Sequence, residues 1–256
     1  MRRYLAGLAL AAMCGGLAGL PGAAAAAPSC KTPGALGPSR VLYINPRETP
    51  GVGSKQHFPS LPLQAQEIVL TFDDGPRVDA TPGILDALAK ECVHATFFEI
   101  GRRAKAAPDL SRRTAAEGHT VGSHSWSHPN LAQLAAPAAT EEIAKGMDAV
   151  ETADGEAPPA AAPRLFRFPD GGMTPETLDY LRAHDMAVIG IDMNITDWGP
   201  KVRPPEELLA SLKAQLDQHD RGILVMHEMP GTAAALPALL AEMKARHIRI
   251  VQLVAR

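Results

Sequence analysis

The chain has 256 residues, 46% of them apolar, which suits one large α/β domain with a sizeable buried core. Setting aside Arg2 and Arg3 leaves 23 basic against 28 acidic residues, about five net negative charges, so no nucleic acid is expected as a partner. Aromatic residues make up only 4%, which argues against a long open stacking groove for a polymer.

The first segment differs in composition. Arg2 and Arg3 precede the apolar run from Leu5 to Met13, and small residues continue through Ala23-Ala24-Ala25-Ala26-Ala27. This is the pattern of a secretory signal peptide, assigned to 1–26, and it implies a secreted or periplasmic protein with no stable membrane span after cleavage. Cys14 falls inside it. Cys30 and Cys92 remain, in a compartment that permits a disulfide, although Cys92 reads equally as a buried small hydrophobe opening a strand. Residues 27–66 are rich in Pro, Gly and Ser, and their one apolar stretch, Val41-Leu42-Tyr43-Ile44, reads as a strand in a segment that wraps the domain.

From 67 to 256 short apolar runs alternate with helical patterns, as in one catalytic domain. A strand over 68–72 leads to a helix over 81–90, with the Thr81 hydroxyl as its cap and Pro82 at its first position. Strands follow at 93–100, 120–122, 165–168, 186–192, 223–227 and 248–251, separated by helices over 108–117, 137–150, 175–184, 205–218 and 232–246. A Pro/Ala-rich surface connection occupies 153–163.

About seven strands alternating with helices imply a parallel sheet, either closed into a barrel or open and doubly wound. Asp73, Asp74, His124, His128, Arg167, Asp197 and His227 all fall at or just beyond strand carboxyl ends, on five separate strands. That convergence favours a barrel, whose rim collects every βα loop.

Two segments carry metal-hydrolase chemistry. Thr71-Phe72-Asp73-Asp74-Gly75-Pro76 ends an apolar strand, and about fifty residues later comes Ser123-His124-Ser125-Trp126-Ser127-His128. Two neutral imidazoles and one carboxylate fix a divalent ion while leaving positions open for water and substrate. One aspartate is then spare. Successive side chains of an extended strand point to opposite sides, so Asp73 and Asp74 are expected to do different jobs, one binding metal and one taking protons. Asp-Asp-Gly-Pro is also turn chemistry; the histidine pair favours the metal reading. Pro129 disfavours helix at His128 and puts the pair on a tight loop. His57, His94, His119, His184, His219 and His247 lack ligand spacing, and Glu228 reads as a loop residue rather than a fourth ligand.

These residues resemble the polysaccharide deacetylases of the NodB-homology type, carbohydrate esterase family 4, over roughly 67–256. The resemblance implies a deformed (β/α) barrel of about seven parallel strands, with Asp73 as general base and Asp74, His124 and His128 as ligands. Arg167-Phe168-Pro169-Asp170-Gly171 is similar to the family's third motif, whose arginine orients the catalytic aspartate and whose following backbone amide helps hold the oxyanion. Asp170 stands where the family often has tyrosine, which adds a negative charge near the site. Asn194-Ile195-Thr196-Asp197-Trp198 is similar to the fourth motif, with Asn194 in place of an aspartate; it implies that Asp197 tunes the catalytic histidine and Trp198 walls the acetyl pocket. Ile223-Leu224-Val225-Met226-His227 is similar to the last motif, with Val225 for a leucine and His227 as general acid.

The implied activity is removal of N-acetyl groups from an acetylated glycan such as peptidoglycan or a chitin-like polymer. The implied cofactor is a divalent metal, zinc first, with cobalt, nickel or manganese also compatible. An O-acetyl esterase, a sugar deformylase and a catalytically silent glycan-binding protein remain open alternatives on the same fold.

Overall fold

Alternation along one central strand sets the architecture. The computed structural model describes residues 32–53, 58–155, 164–199 and 201–256; the expected signal segment, Cys30, His57 and most of the 153–163 connection lie outside them. The N-terminal segment contributes β1 (Pro38–Ile44) and β2 (Gly51–Val52), and the central strand is β3 (Glu67–Gly75). There follow α1 (Thr81–Lys90), β4 (Thr96–Glu99), α2 (Gly101–Ala106), α3 (Pro108–Ala116), β5 (Thr120–Ser123), α4 (Ala136–Asp154) and β6 (Arg164–Phe166). The chain continues through α5 (Pro175–Ala183), β7 (Met186–Ile189), β8 (Met193–Asn194), α6 (Pro205–Gln218), β9 (Gly222–His227), α7 (Pro230–Ala245) and β10 (Arg249–Ala255).

The strands form one ten-stranded sheet in which every pairing is parallel. On β3, Ile68, Leu70 and Phe72 face the outer layer and pack with Ile84, Leu85 and Leu88 of α1 and Leu236, Leu239 and Leu240 of α7. Val69, between them, joins Phe98, Leu165, Ala187, Ile189 and Ile223 in a second cluster, from the inner faces of five neighbouring strands. Ile44, Val52, Leu61 and Leu63 enter that inner cluster, so the N-terminal segment supplies core and does not merely wrap it.

The sheet bends round through β3-β4-β5-β6-β7 on one side and β3-β9-β8 on the other. No ladder joins β7 to β9 among the described residues. Gly190, Ile191 and Asp192 link β7 directly to β8, and Asp192 N–H donates to the Ile223 carbonyl at 2.9 Å while its carboxylate accepts Ile223 N–H at 2.9 Å. One bent segment thus spans the seam. The order of strands and their common direction are those of the expected barrel, and ten strands rather than about seven take part: β1 is the strand read around Val41 to Ile44 in the N-terminal segment, and β2 and β8, two residues each, are too short to show periodicity.

Several expected boundaries move for identifiable reasons. The strand expected at 93–100 begins at Thr96, because Cys92 (φ +52°) closes α1 in a Schellman turn, with Cys92 N–H on Ala89 O and Val93 N–H on Leu88 O. Cys92 is therefore a helix-terminating residue rather than a strand opener. It is disulfide-bonded. Thr81 does not cap α1: the N-cap is Ala80, and Thr81 Oγ1 instead accepts Arg77 N–H at 2.7 Å and donates to Glu228 Oε2. No helix among the described residues is long and apolar enough to cross a membrane.

Candidate metal and catalytic site

Asp73 and Asp74 do not point to opposite sides. The register between β3 and β4 shifts between Asp73 and Gly75, and Asp74 takes φ +71°. This bulge re-aims the second carboxylate toward the same point as the first. His124 Nε2 lies 3.8 Å from Asp73 Oδ2 and 3.8 Å from Asp74 Oδ1, and His128 Nε2 lies 3.2 Å from Asp74 Oδ1.

The histidine loop is held in place by its own backbone. Ser125 (φ +64°) and His128 (φ +66°) turn it back, and Ser125 Oγ accepts His128 N–H at 3.1 Å. Helix α4 presses against its outer side at Gly146, where an added Cβ would lie 2.4 Å from Ser125 C and 2.6 Å from Trp126 N. Only glycine permits that approach. His124 Nδ1 is 2.8 Å from the Arg167 carbonyl, which leaves Nε2 as the outward lone pair. Burial, the largest influence, lowers the basicity of the His124 ring and keeps it neutral, as a metal ligand must be.

Asp74, His124 and His128 each offer one donor atom, all within 4.8 Å of one another. Asp74 Oδ1 is buried with no hydrogen-bond partner, an exposed cost that a cation would remove. Two imidazoles and a carboxylate at these separations fit a cation with bonds of about 2.0–2.2 Å.

Asp73 faces the interior from β3. Arg167 Nη1 donates to its Oδ1 at 2.7 Å and to Thr71 Oγ1 at 2.7 Å, while the other guanidinium nitrogens bind the Ile189 and Gly190 carbonyls at 3.0 and 2.9 Å. Burial works to raise the Asp73 carboxyl, yet the Arg167 charge and hydrogen bond, helped by His227, outweigh it and hold the group below its ordinary value.

His227 is the direct neighbour of Asp73 in the β3–β9 pairing. Its Nδ1 lies 2.7 Å from Asp197 Oδ1, and Asp197 Oδ2 accepts both His227 N–H at 2.6 Å and Thr232 Oγ1 at 2.7 Å. Burial opposes charge on the ring, but the Asp197 hydrogen bond and charge, with Asp73 and Asp74 behind them, raise His227 above its ordinary value. The two groups are thus pushed in opposite directions, the arrangement that separates a base from an acid.

These side chains line a cavity of about 230 Å³ with Phe168, Asp170, Gly171, Ile191, Asn194, Trp198 and Val225 at its wall and rim. Every site residue expected from the sequence is therefore brought to one place except Arg167 and Asp197, which stand behind Asp73 and His227. In the turn Pro169–Gly171, Gly171 and Gly172 N–H groups bind the Phe168 and Pro169 carbonyls, leaving Asp170 N–H without an acceptor among the described residues. Asn194 Oδ1 accepts Thr196 N–H at 2.6 Å and so shapes the loop that carries Asp197.

Sequence reasoning missed the burial of Glu228. It lies in the short loop between β9 and α7 and outside the Asp74, His124 and His128 group, as expected, but it is fully buried, and its carboxyl fills the space against Gly75, where an added Cβ would lie 1.5 Å from Oε1. Its N–H donates to the Asp73 carbonyl at 2.9 Å. Burial is the main reason that its carboxyl is pushed up to about 8. Only its position, next to His227 at a strand end, hinted at proximity to the site.

With this geometry in hand, the family model described as polysaccharide deacetylase matches residues 61–189, half of the chain. The chain belongs to the polysaccharide deacetylase family. A peptidoglycan-N-acetylglucosamine deacetylase of Bacillus cereus is 29% identical over 197 residues, 75% of this chain and 68% of that relative. A second, from Listeria monocytogenes, is 32% identical over 232 residues, 86% of this chain but 47% of the relative, so the chain spans about half the Listeria protein's length. Among solved structures, a peptidoglycan deacetylase of Bdellovibrio bacteriovorus superposes with a TM-score of 0.72 at 27% identity, covering 91% of this chain and 63% of that one.

Proposed function

We propose that this polysaccharide deacetylase is a metal-dependent amidohydrolase that removes N-acetyl groups from amino-sugar glycans, with peptidoglycan as the first substrate to test and the cell exterior or periplasm as its place of work. One observation carries the reading: Asp73 and His227 sit side by side on paired strands, with opposite shifts in acidity, at a cavity that also holds Asp74, His124 and His128. The names of the relatives support peptidoglycan; the donor set supports zinc, with other divalent ions as substitutes.

A divalent cation on Asp74, His124 and His128 would lower the pKa of water by several units and polarise the acetyl carbonyl. Asp73, kept ionised by Arg167, takes the proton from the attacking water. The free Asp170 N–H is available to the oxygen on which charge develops. His227, kept protonated by Asp197, then donates its proton to the departing nitrogen, which would otherwise leave as an unstable amide anion. Val225 and Trp198 border the space for the acetyl methyl. The products are acetate and a free amino sugar.

The test is product analysis with acetylated peptidoglycan fragments, chitooligosaccharides and acetylated xylan. Equal amounts of acetate and free amine are expected from the first two, and Asp73→Asn should abolish both while retaining metal. Acetate without amine would indicate an esterase, and full activity in Asp73→Asn would exclude the role given to that residue.

A further inference from the structure

The charges around the cavity pair off and leave one over. Asp73 is held by Arg167, His227 by Asp197, and Asp74 faces two imidazoles. Asp170 is exposed, lines the same cavity, and has no hydrogen-bond or ion-pair partner among the described residues. It sits on a defined turn: its backbone is left-handed (φ +52°, ψ +17°), and the turn is closed by Gly171 N–H on Phe168 O at 3.2 Å and Gly172 N–H on Pro169 O at 3.0 Å.

A second rim group has the same preference. Trp198 is 54% exposed and lines the cavity too, and an indole face attracts cations. A neutral acetylated sugar offers a charge partner to neither group. An ammonium offers one to both, and a carboxylate at the rim pays little desolvation to meet it.

We propose that Asp170, with Trp198, recognises a cationic amino group next to the reacting acetamide, so that the preferred substrate class is a glycan that already carries free amines. This rests on the deacetylase reading and deepens it. The enzyme's own product on one sugar then becomes the recognition element for attack on a neighbour, and the pattern left on the chain is clustered rather than random.

The test is calorimetry on zinc-loaded protein, with two β-1,4 tetrasaccharides that release no acetate: fully N-deacetylated chitotetraose, which is cationic, and cellotetraose, which is neutral. Asp170→Asn removes the charge but keeps a residue that tolerates the left-handed backbone; Asp170→Glu keeps the charge. The wild-type protein is expected to bind the cationic oligomer about fivefold more tightly than Asp170→Asn at low salt, with Asp170→Glu close to wild type. The contrast should shrink in about 0.5 M salt, and cellotetraose should not distinguish the variants. Equal affinity of wild type and Asp170→Asn for the cationic oligomer, or an equal loss with cellotetraose, would overturn the proposal. Acetate release is measured separately: its absence with the binding contrast intact would remove the deacetylase reading and leave the cation site standing.

Discussion

Arg167 Nη1 donates to Asp73 Oδ1 at 2.7 Å, between side chains only 3% and 4% exposed. Replacing Arg167 with Met leaves a buried carboxylate without its cation, a change that costs about 3–5 kcal/mol of stability when one partner of a buried pair is lost. Burial then acts on Asp73 with its main opponent gone, so its acidity weakens. The acidic limb of the kcat/KM profile is expected to move to higher pH, with a fall of about 100-fold in the plateau. A limb that stays in place would argue that another group is the base.

At the other end of the site the sign reverses. Asp197 raises His227, so Asp197→Asn should let burial lower the ring and move the basic limb of the profile to lower pH. The expected loss in kcat at neutral pH is about 10- to 100-fold, with KM changed far less. A basic limb unmoved in this variant would separate Asp197 from the acid.

Gly146 lies on α4, remote in sequence from every ligand, yet its Cα faces the backbone of Ser125 and Trp126. A methyl group there cannot fit without moving the histidine loop. Gly146→Ala is therefore expected to weaken zinc affinity about tenfold or more, although alanine favours helix by about 1 kcal/mol. Zinc competition against a chromogenic chelator reads this directly, and unchanged affinity would mean that α4 yields instead of the loop.

Much of this site could be read from the chain because its chemistry is local. Asp73-Asp74 and His124 to His128 are short motifs at strand ends, and the βα rhythm placed those ends on one rim. What sequence did not reveal depends on backbone sign and long-range contact. Strict alternation put Asp73 and Asp74 on opposite sides, and a positive φ at Asp74 brings them together. Helix α3 ends at Gly118, a visible stop, but α1 and α7 end in the same left-handed way at Cys92 and His247, where no glycine announces it. The partner of Thr81 is Glu228, far along the chain, so its hydroxyl looked like a helix cap.

Glu228 carries a prediction of its own. Its folded-state carboxyl titrates at about 8, above the ordinary carboxylate range, mainly through burial. In the unfolded chain it loses its proton near pH 4, so the native state is progressively disfavoured as pH rises from about 4 to about 8. Glu228→Gln removes that dependence. The metal-free variant should match the metal-free wild type near pH 4 and exceed it at pH 8 by on the order of 3 kcal/mol, followed by urea unfolding. A constant difference across that window would place Glu228 among ordinary ionised carboxylates.

The cation remains the centre of the account, and a metal titration addresses it most directly. Protein stripped with chelator and verified as metal-free is reloaded with zinc while acetate release from an acetylated chitooligosaccharide is followed. Activity should be absent at the start, rise linearly, and reach its plateau at about one zinc per chain, with no such rise in His128→Ala. Stripped protein that releases acetate at the full rate would contradict the assignment of Asp74, His124 and His128.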